Sequence, residues 1–282
     1  MVKPFVRWAG GKTRLLPIIT QNMPLLNSTN KYFEPFIGGG SLFFYLEREN
    51  SYISDTNSDL IAAYRVIQSD LNNLVTILRD YKTKDCEAFF QQVKNMDLSP
   101  NYKNLPELER GARFIYLVKT CFNGVFRVNS KGHFNKAYAF MPNPNICDVD
   151  TLVGCNKVLS KNIEIHESSY EAIFDKVSDG DFVYLDPPYD PISDTANFTK
   201  YTKSGFNKND QQKLKDFVDE LTKKNVNVMI SNNYTDFIID LWKDYKQLKV
   251  DIQRNIAGSA DARGMANEIL IMNYDNQPLF EF

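Results

Sequence analysis

A short apolar run that leads into three consecutive glycines constrains the fold more than any other feature of this chain. The run covers residues 32–36, and glycines occupy positions 38–40. Residues 41–46 then have a helical pattern, and residues 52–55 have the composition of a second strand. This order of strand, glycine turn, helix and strand predicts a β-α-β unit of a parallel sheet, which binds ligands at the carboxyl ends of its strands.

Beyond this unit the pattern changes to helices and then returns to strands. Apolar residues recur at helical spacing between positions 59 and 126. Later strand-like segments are residues 163–165, 182–186, 226–230 and 268–272, and an amphipathic helix with a stripe of Leu214, Phe217, Val218 and Leu221 lies among them. We therefore predict an α/β fold whose sheet domain is formed by residues 1–58 and 146–282 and is interrupted by a helical insertion at 59–145.

Composition places the chain among ordinary globular proteins and argues against a metal protein. Of its 282 residues 43% are hydrophobic, and no stretch approaches the roughly 20 apolar residues that a membrane span needs. The four cysteines (Cys86, Cys121, Cys147 and Cys155) form no Cys-x-x-Cys pair, and the two histidines add no metal-ligand spacing. We expect reduced thiols, no bound metal, and a cytoplasmic protein.

The net charge of −2 is unusual for a protein that binds nucleic acid, because neutralising phosphates is a common source of affinity. Net charge averages over the whole surface, however, and a basic cleft can coexist with an acidic remainder. Charge alone therefore neither supports nor excludes nucleic acid.

The strongest chemical signal is the motif Asp-Pro-Pro-Tyr, which directly follows an apolar strand. Its members are Asp186, Pro187, Pro188 and Tyr189. An aromatic amine is a poor nucleophile because its lone pair is delocalised into the ring. The Asp186 carboxylate and the Pro187 carbonyl can accept the two N–H groups of such an amine and favour a tetrahedral nitrogen. Tyr189 can stack on a base extruded from a duplex. The alternative is a Pro-Pro turn that merely ends a strand.

The glycine turn and the acid that ends the next strand form a second signal. Glycines let a backbone approach a ligand, and Asp55 can accept both hydroxyls of a ribose. A dinucleotide fingerprint requires Gly or Ala three residues after its second glycine, but Phe43 stands three residues after Gly40. This substitution disfavours NAD, while a plain tight turn remains the structural alternative.

A third signal lies near the amino terminus, where Gly-Gly-Lys-Thr suggests a phosphate-binding loop. The position five residues before Gly11 should then be glycine, but it is Val6, and no strand precedes it. We reject the nucleoside triphosphate interpretation. Trp8 and the glycines beside it can instead fold over a small zwitterion, with Lys12 near its carboxylate or near DNA. A purely structural Trp8 is the alternative.

These three motifs together resemble the Dam family of adenine-N6 DNA methyltransferases, most closely its GATC-modifying branch. The similarity extends from Phe5 to Tyr274 and includes the strings at residues 55–61 and 195–199. It implies a Rossmann-like S-adenosylmethionine-dependent methyltransferase sheet, with the insertion as a helical target-recognition domain. By this resemblance the cofactor-binding residues are Trp8, Ala9, Gly10, Gly11, Lys12, Glu34, Pro35, Phe36, Gly38, Gly39, Gly40, Asp55, Ser169, Tyr170 and Asp186.

The segment from residue 121 to 135 resembles the DNA-reading hairpin of that family. The resemblance implies that Phe122 and Asn123 enter the base stack or pair with the orphaned base, and that Arg127 contacts a guanine. Asn129, Ser130 and Lys131 suit phosphates, which fix register without reading sequence. The full set of expected DNA contacts is Arg7, Phe122, Asn123, Val125, Arg127, Asn129, Ser130, Lys131, Asn135 and Ala137. A solvated polar hairpin is the alternative.

The predicted function is therefore adenine-N6 methylation of double-stranded DNA by a site-specific methyltransferase, acting as a monomer, in a phage, regulatory or restriction-modification system. Related cytosine-N4 enzymes more often begin the motif with Ser, and protein-glutamine enzymes with Asn, so Asp186 favours adenine. A catalytically inactive DNA-binding module and an NAD oxidoreductase are the competing classes. We expect GATC as target, with relaxed preference at an outer base pair, because Lys136 and Ala137 replace the Val-Pro of close relatives.

Overall fold

The computed structural model describes residues 1–8, 10–192, 206–253 and 265–275 of the chain. Its strands are β1 (Tyr32–Glu34), β2 (Ser51–Asp55), β3 (Glu164–Glu167), β4 (Phe182–Leu185), β5 (Asn227–Asn233), β6 (Lys246–Gln253) and β7 (Met265–Met272). Its α-helices are α1 (Leu16–Gln21), α2 (Ser41–Leu46), α3 (Ser58–Ser69), α4 (Leu71–Lys84), α5 (Glu87–Lys94), α6 (Glu107–Thr120), α7 (Val149–Leu159), α8 (Lys208–Lys223) and α9 (Asp236–Leu241).

The strands described here form a seven-stranded sheet in the order β3-β2-β1-β4-β5-β7-β6. β2 pairs with β3 in parallel, and β4 pairs in parallel with both β1 and β5. β7 runs antiparallel to both β5 and β6, with Ile230 opposite Ile271 and Leu248 opposite Leu270. This mixed α/β architecture confirms the predicted Rossmann-like fold class.

Contacts divide the described residues into two compact units. The first unit comprises residues 1–8, 10–13 and 37–169, and the second comprises residues 14–36, 170–192, 206–253 and 265–275. The predicted division at residues 58 and 145, with the insertion as a target-recognition domain, remains a prediction.

In the first unit, helices α3 and α6 pack closely because small residues face each other. A Cβ atom added to Gly111 would lie 3.0 Å from the Cα of Ala63, so a larger residue there would push the helices apart. α3 begins at Asn57, whose side chain accepts hydrogen bonds from the amides of Asp59 and Leu60. The helical pattern predicted between residues 59 and 126 corresponds to α3, α4, α5 and α6.

In the second unit, the core lies along β4 and β5 and under α8. Every residue of β4 is buried, and Leu214, Val218 and Leu221 of the predicted stripe are buried as well. α8 begins with a capping box in which Asn207 and Asp210 exchange side-chain and backbone hydrogen bonds.

The elements differ from the sequence prediction mainly at boundaries and at one strand. β3 begins one residue later than predicted, and β7 begins three residues earlier. β6 was not predicted, although Leu248 and Val250 alternate with polar residues at the period of a strand.

No helix within the described ranges is long and apolar enough to cross a membrane.

Candidate active site

The Asp-Pro-Pro-Tyr motif begins at the carboxyl end of β4, and its aspartate is held by a neighbouring strand. The Ser231 hydroxyl on β5 donates a hydrogen bond to Oδ1 of Asp186 at 2.9 Å. The Tyr184 hydroxyl lies 2.9 Å from the same Ser231 oxygen and supplies the proton for that contact. Burial raises the pKa of Tyr184 well above its usual value, so this phenol remains a neutral donor. A chain of two hydroxyls therefore fixes the carboxylate.

The backbone beyond Asp186 is braced by polar side chains of α8 and β5. Nε2 of Gln211 donates to the Pro188 carbonyl at 3.0 Å. The Asp190 amide donates to Oδ1 of Asn232 at 2.9 Å, and Nδ2 of Asn233 donates to the Asp190 carbonyl at 2.6 Å. These buried contacts hold the turn in one conformation, which electrostatic preorganisation of the site requires.

Tyr189 is half-buried and is anchored at its hydroxyl. The hydroxyl donates to Oε2 of Glu268 on β7 at 2.8 Å. Burial, followed by the nearby carboxylates of Asp186 and Glu268, raises the pKa of this phenol well above its usual value. A neutral tyrosine held at its hydroxyl is well ordered, and aromatic rings of this kind stack on flat ligands.

The end of β1 brings an aromatic pair to the second unit. The ring of Phe36 stacks on the ring of Tyr170, with 5.5 Å between centroids and 26° between planes. Glu34 is buried and accepts a hydrogen bond from the Tyr32 hydroxyl at 2.5 Å, and Pro35 is buried beside it. Phe36 and Tyr170 are thus in direct contact.

Asp55 ends β2 in the first unit and is tied to the glycine turn. Its Oδ2 accepts from the Gly38 amide at 3.1 Å, and its Oδ1 accepts from the Asn57 amide at 2.9 Å. Burial raises the pKa of Asp55, and these backbone donors act in the opposite direction. The Thr56 amide is a third backbone donor. A carboxylate has about four acceptor sites, so the group can still accept a hydrogen bond from a ligand hydroxyl.

The glycine turn is shaped by Trp8, which packs directly on it. A Cβ atom at Gly38 would lie 2.6 Å from Cδ1 of Trp8, and one at Gly39 would lie 2.9 Å from its Cβ. Gly38 and Gly40 also have positive φ angles of 46° and 69°. Glycine is therefore required both by the backbone conformation and by an indole packed directly on the turn.

The amino-terminal motif folds as a tight turn. The Gly11 amide donates to the Trp8 carbonyl at 3.2 Å, and Nζ of Lys12 donates to the Gly10 carbonyl at 2.5 Å. Lys12 is buried and Gly10 is exposed. Ala9, and the string at residues 195–199 that contributed to the resemblance, lie outside the described residues.

Ser169 ends the first unit after β3 and is exposed. The structure brings it into no described contact with Trp8 or the glycine turn, and its expected role beside the cofactor remains a prediction.

The predicted DNA-reading segment folds as a short hairpin whose tip is polar. Val128 and Phe134 pair as an antiparallel bridge, and the Asn135 amide donates to the Arg127 carbonyl at 2.8 Å. The Asn129 side chain forms the turn itself, because its Oδ1 accepts from the amides of Lys131 and His133. Most of the expected DNA contacts are exposed, namely Arg7, Phe122, Asn123, Arg127, Ser130, Lys131, Asn135 and Ala137, whereas Val125 and Asn129 are half-buried.

Aromatic packing connects this hairpin to Trp8 within the first unit. The ring of Phe126 stacks on the indole of Trp8, with 6.2 Å between centroids and 12° between planes. Phe126 also contacts Phe134 and Phe114 at 5.5 and 5.1 Å. The indole therefore lies against the glycine turn, the base of the hairpin and Phe114 of α6.

Sequence reasoning missed the residues that hold the motif in place. Ser231, Glu268 and Gln211 are far from Asp186 along the chain, and none of them belongs to a recognisable motif. One signal was available, because the apolar strand β5 ends in Ser231, Asn232 and Asn233. Buried polar side chains at the end of a strand indicate a site.

Comparisons with known proteins identify the family of the chain. A sequence model of the "D12 class N6 adenine-specific DNA methyltransferase" family matches residues 8–256. The chain is 38% identical to the Type II methyltransferase M1.LlaDCHI of Lactococcus lactis subsp. cremoris, covering 98% of this chain and 96% of that relative. It is 41% identical to the Type II methyltransferase M.MjaIII of Methanocaldococcus jannaschii, covering 97% of this chain and 99% of that relative. It is 28% identical to the DNA adenine methylase of Escherichia coli K12, covering 96% of this chain and 95% of that relative.

Proposed function

Because the chain belongs to the D12 class of N6 adenine-specific DNA methyltransferases, we propose that it flips an adenine out of duplex DNA and methylates N6 of that base in GATC or a related site. The family defines the chain as a site-specific DNA adenine methyltransferase that uses S-adenosylmethionine. The roles of individual residues and the target sequence are the proposal.

One observation carries the proposal: the Asp186 carboxylate is held by Ser231 at the carboxyl end of a buried strand and is followed directly by Pro-Pro-Tyr. This carboxylate accepts one N–H of the adenine amino group, and the Pro187 carbonyl accepts the other. Both contacts draw the nitrogen lone pair out of conjugation with the ring. The Pro188 carbonyl already accepts a hydrogen bond from Gln211, which supports Pro187 as the second acceptor.

Tyr189 holds the extruded base. Its hydroxyl is tethered to Glu268, which limits rotation of the ring. Unstacking a base costs a few kcal/mol or so, and an aromatic platform compensates part of that free energy.

The residues of the first unit fit the polar half of S-adenosylmethionine. Asp55 offers a carboxylate to the ribose hydroxyls, and its contacts with the Gly38 and Asn57 amides keep it oriented. Trp8 and the glycine turn contact the methionine part, and Lys12 pairs with its carboxylate. When bound, the cofactor supplies an electrophilic methyl group to the amine that Asp186 prepares.

The Phe36 and Tyr170 pair of the second unit fits the cofactor's adenine. Two rings stacked at 5.5 Å offer an apolar edge and a face to a flat heterocycle. Glu34 and Pro35, which precede Phe36, are proposed to line the same pocket.

The hairpin supplies the DNA contacts. Arg127 is exposed on the hairpin, where a guanidinium can form two hydrogen bonds with guanine O6 and N7. Ser130 and Lys131 at the exposed tip suit phosphates. Two relatives are named Type II methyltransferases, which supports a role in restriction-modification. We propose that the enzyme acts as a monomer.

The test is mass spectrometry of nucleosides from duplex DNA incubated with the protein and S-adenosylmethionine. The expected product is N6-methyladenine in duplexes that contain GATC, with none formed when the cofactor is omitted. N4-methylcytosine as the product, or unmodified DNA, would contradict the proposal. A set of duplexes in which each GATC base pair is changed in turn then identifies the recognised positions.

A further inference from the structure

The helical part of the first unit contains a completely buried arginine whose donors are all engaged. Arg113 on α6 has no exposed side-chain area. Its Nη1 donates to Oδ2 of Asp59 at 3.1 Å and to the Tyr102 hydroxyl at 3.0 Å, and its Nε donates to the Val93 carbonyl at 2.9 Å. A buried guanidinium with this many partners is a rigid point in the molecule, because every alternative position leaves donors unpaired.

The remaining nitrogen of Arg113 holds an aspartate that touches the hairpin. Nη2 lies 2.8 Å from Oδ2 of Asp97, and the Asp97 side chain is only 10% exposed. The same carboxylate oxygen accepts a hydrogen bond from the Phe134 amide at 2.8 Å. Oδ1 of Asp97 lies 3.7 Å from Nδ1 of His133. Asp97 therefore connects a fixed cation with the second strand of the hairpin.

This contact sets the position of the residue that is proposed to read guanine. Phe134 is paired with Val128 as a bridge, and the next amide, that of Asn135, bonds to the Arg127 carbonyl. The Phe134 ring is itself buried, so both its side chain and its amide, which is bonded to Asp97, fix the backbone at this point. A shift of the Phe134 backbone would move Arg127 with it, and readout of a base edge depends on side-chain geometry.

We propose that Asp97, fixed by Arg113, is a positioning residue for sequence discrimination by the hairpin. This inference rests on the proposed function of the hairpin. Asp97 does not contact DNA in this proposal; it acts through the Phe134 amide and the strand that carries it. Losing the carboxylate relaxes target choice and leaves the cofactor site intact.

The experiment compares Asp97→Ala with Asp97→Asn and two control variants. Asn keeps an acceptor oxygen for the Phe134 amide and loses the charge that pairs with Arg113. Leu78→Ala truncates a buried leucine of α4 and controls for general destabilisation of the unit. Asp80→Ala removes an exposed aspartate whose partner is Lys84, and controls for loss of a negative charge. Each protein is used as the full chain, and melting temperatures are measured first.

The first readout is kcat/KM on a GATC duplex and on duplexes with one base pair changed. The discrimination ratio is kcat/KM on the GATC duplex divided by kcat/KM on the altered duplex. For Asp97→Ala we expect this ratio to fall about tenfold, which corresponds to the loss of one base contact. The KM for S-adenosylmethionine should stay constant. Asp97→Asn should recover part of the ratio. Leu78→Ala should lower the melting temperature without changing the ratio, and Asp80→Ala should change neither.

The second readout, hydrogen exchange of the peptide that spans residues 126–135, is independent of activity. Asp97→Ala should speed exchange in this peptide, because the Phe134 amide loses its acceptor. Leu78→Ala should not speed it when both variants are measured at the same interval below their melting temperatures. Unchanged exchange, or an unchanged ratio in folded Asp97→Ala, would overturn the inference. If the wild-type protein methylates no DNA, the proposed function fails, and the exchange data still decide whether Asp97 holds the hairpin.

Discussion

At the scale of single residues, the arrangement around Asp186 leads to a direct test of the chemistry. Asp186→Ala removes one of two acceptors for the amino group at a turn outside the core, so the fold should survive. Turnover should fall about a hundredfold or more, as for loss of a preorganised polar group. Single-turnover kinetics with saturating cofactor measure this change, with Asp179→Ala, an exposed aspartate of the same unit, as control. Near-normal turnover in Asp186→Ala would refute the proposed role.

The hydroxyl chain behind Asp186 predicts a smaller, coupled effect. Ser231→Ala removes the donor to the carboxylate, and Tyr184→Phe removes the donor to Ser231. Each variant should lower turnover about fivefold, since a hydrogen bond of this kind contributes roughly 1 kcal/mol. The double variant should lose less than the product of the two single losses, because both act through one chain. Fully multiplicative losses would mean that the two hydroxyls act independently.

Asp55 predicts a defect in cofactor binding. Asp55→Ala removes the carboxylate that is proposed to accept the ribose hydroxyls, and the affinity for S-adenosylmethionine should fall roughly tenfold or more. Turnover at saturating cofactor should change less, because the same contact persists through the reaction. Calorimetric titration and steady-state kinetics measure the two quantities. Lower turnover with unchanged affinity would contradict this assignment.

At the scale of elements, the glycine turn predicts a packing effect that differs from backbone strain. Gly38 has a positive φ angle and also contacts the indole, whereas Gly132 has a φ angle of 89° and nothing within 4 Å of an added Cβ atom. Both Ala variants carry the left-handed backbone penalty of about 1 kcal/mol. Only Gly38→Ala must also displace Trp8.

Gly38→Ala should therefore lower the melting temperature more than Gly132→Ala, and it alone should weaken cofactor binding. Differential scanning calorimetry and cofactor titration test both points. Equal effects of the two variants would mean that the packing of the Trp8 indole does not require glycine at position 38.

At the scale of the whole molecule, the target sequence is the property to measure. Close relatives in the resemblance carry Val-Pro where this chain has Lys136 and Ala137. Ala137 is exposed and offers one methyl group where those relatives offer a proline ring, although its carbonyl is bonded to the Phe122 amide. A weaker apolar contact with one base edge lowers discrimination by up to roughly 1–3 kcal/mol. We predict methylation of GATC with relaxed preference at an outer base pair.

Single-molecule sequencing of DNA from cells that express the protein measures this preference, with cells that lack it as control. Modification of GATC alone would refute the relaxed preference. Modification that lacks a GAT core would refute the GATC assignment.

The sequence by itself determined the fold class, the family and the motif at the end of β4. These properties depend on local order along the chain: an apolar strand followed by Asp-Pro-Pro-Tyr, and a strand, glycine turn and helix in sequence. Helix α2, predicted at residues 41–46, has those boundaries in the structure. The unpredicted strand β6 shows the limit of this approach, because a strand that pairs antiparallel with β7 is defined by its partner.

Only the tertiary structure decided which side chains support the motifs. Ser231 approaches Asp186 because β4 and β5 are neighbours in the sheet, and Trp8 packs on Gly38 across 30 residues of chain. Arg113 is buried with Asp59 and Asp97 as partners, although its sequence neighbourhood is an ordinary amphipathic helix. Hydrogen bonds and ion pairs between distant segments depend on spatial proximity, and one-dimensional spacing does not encode it.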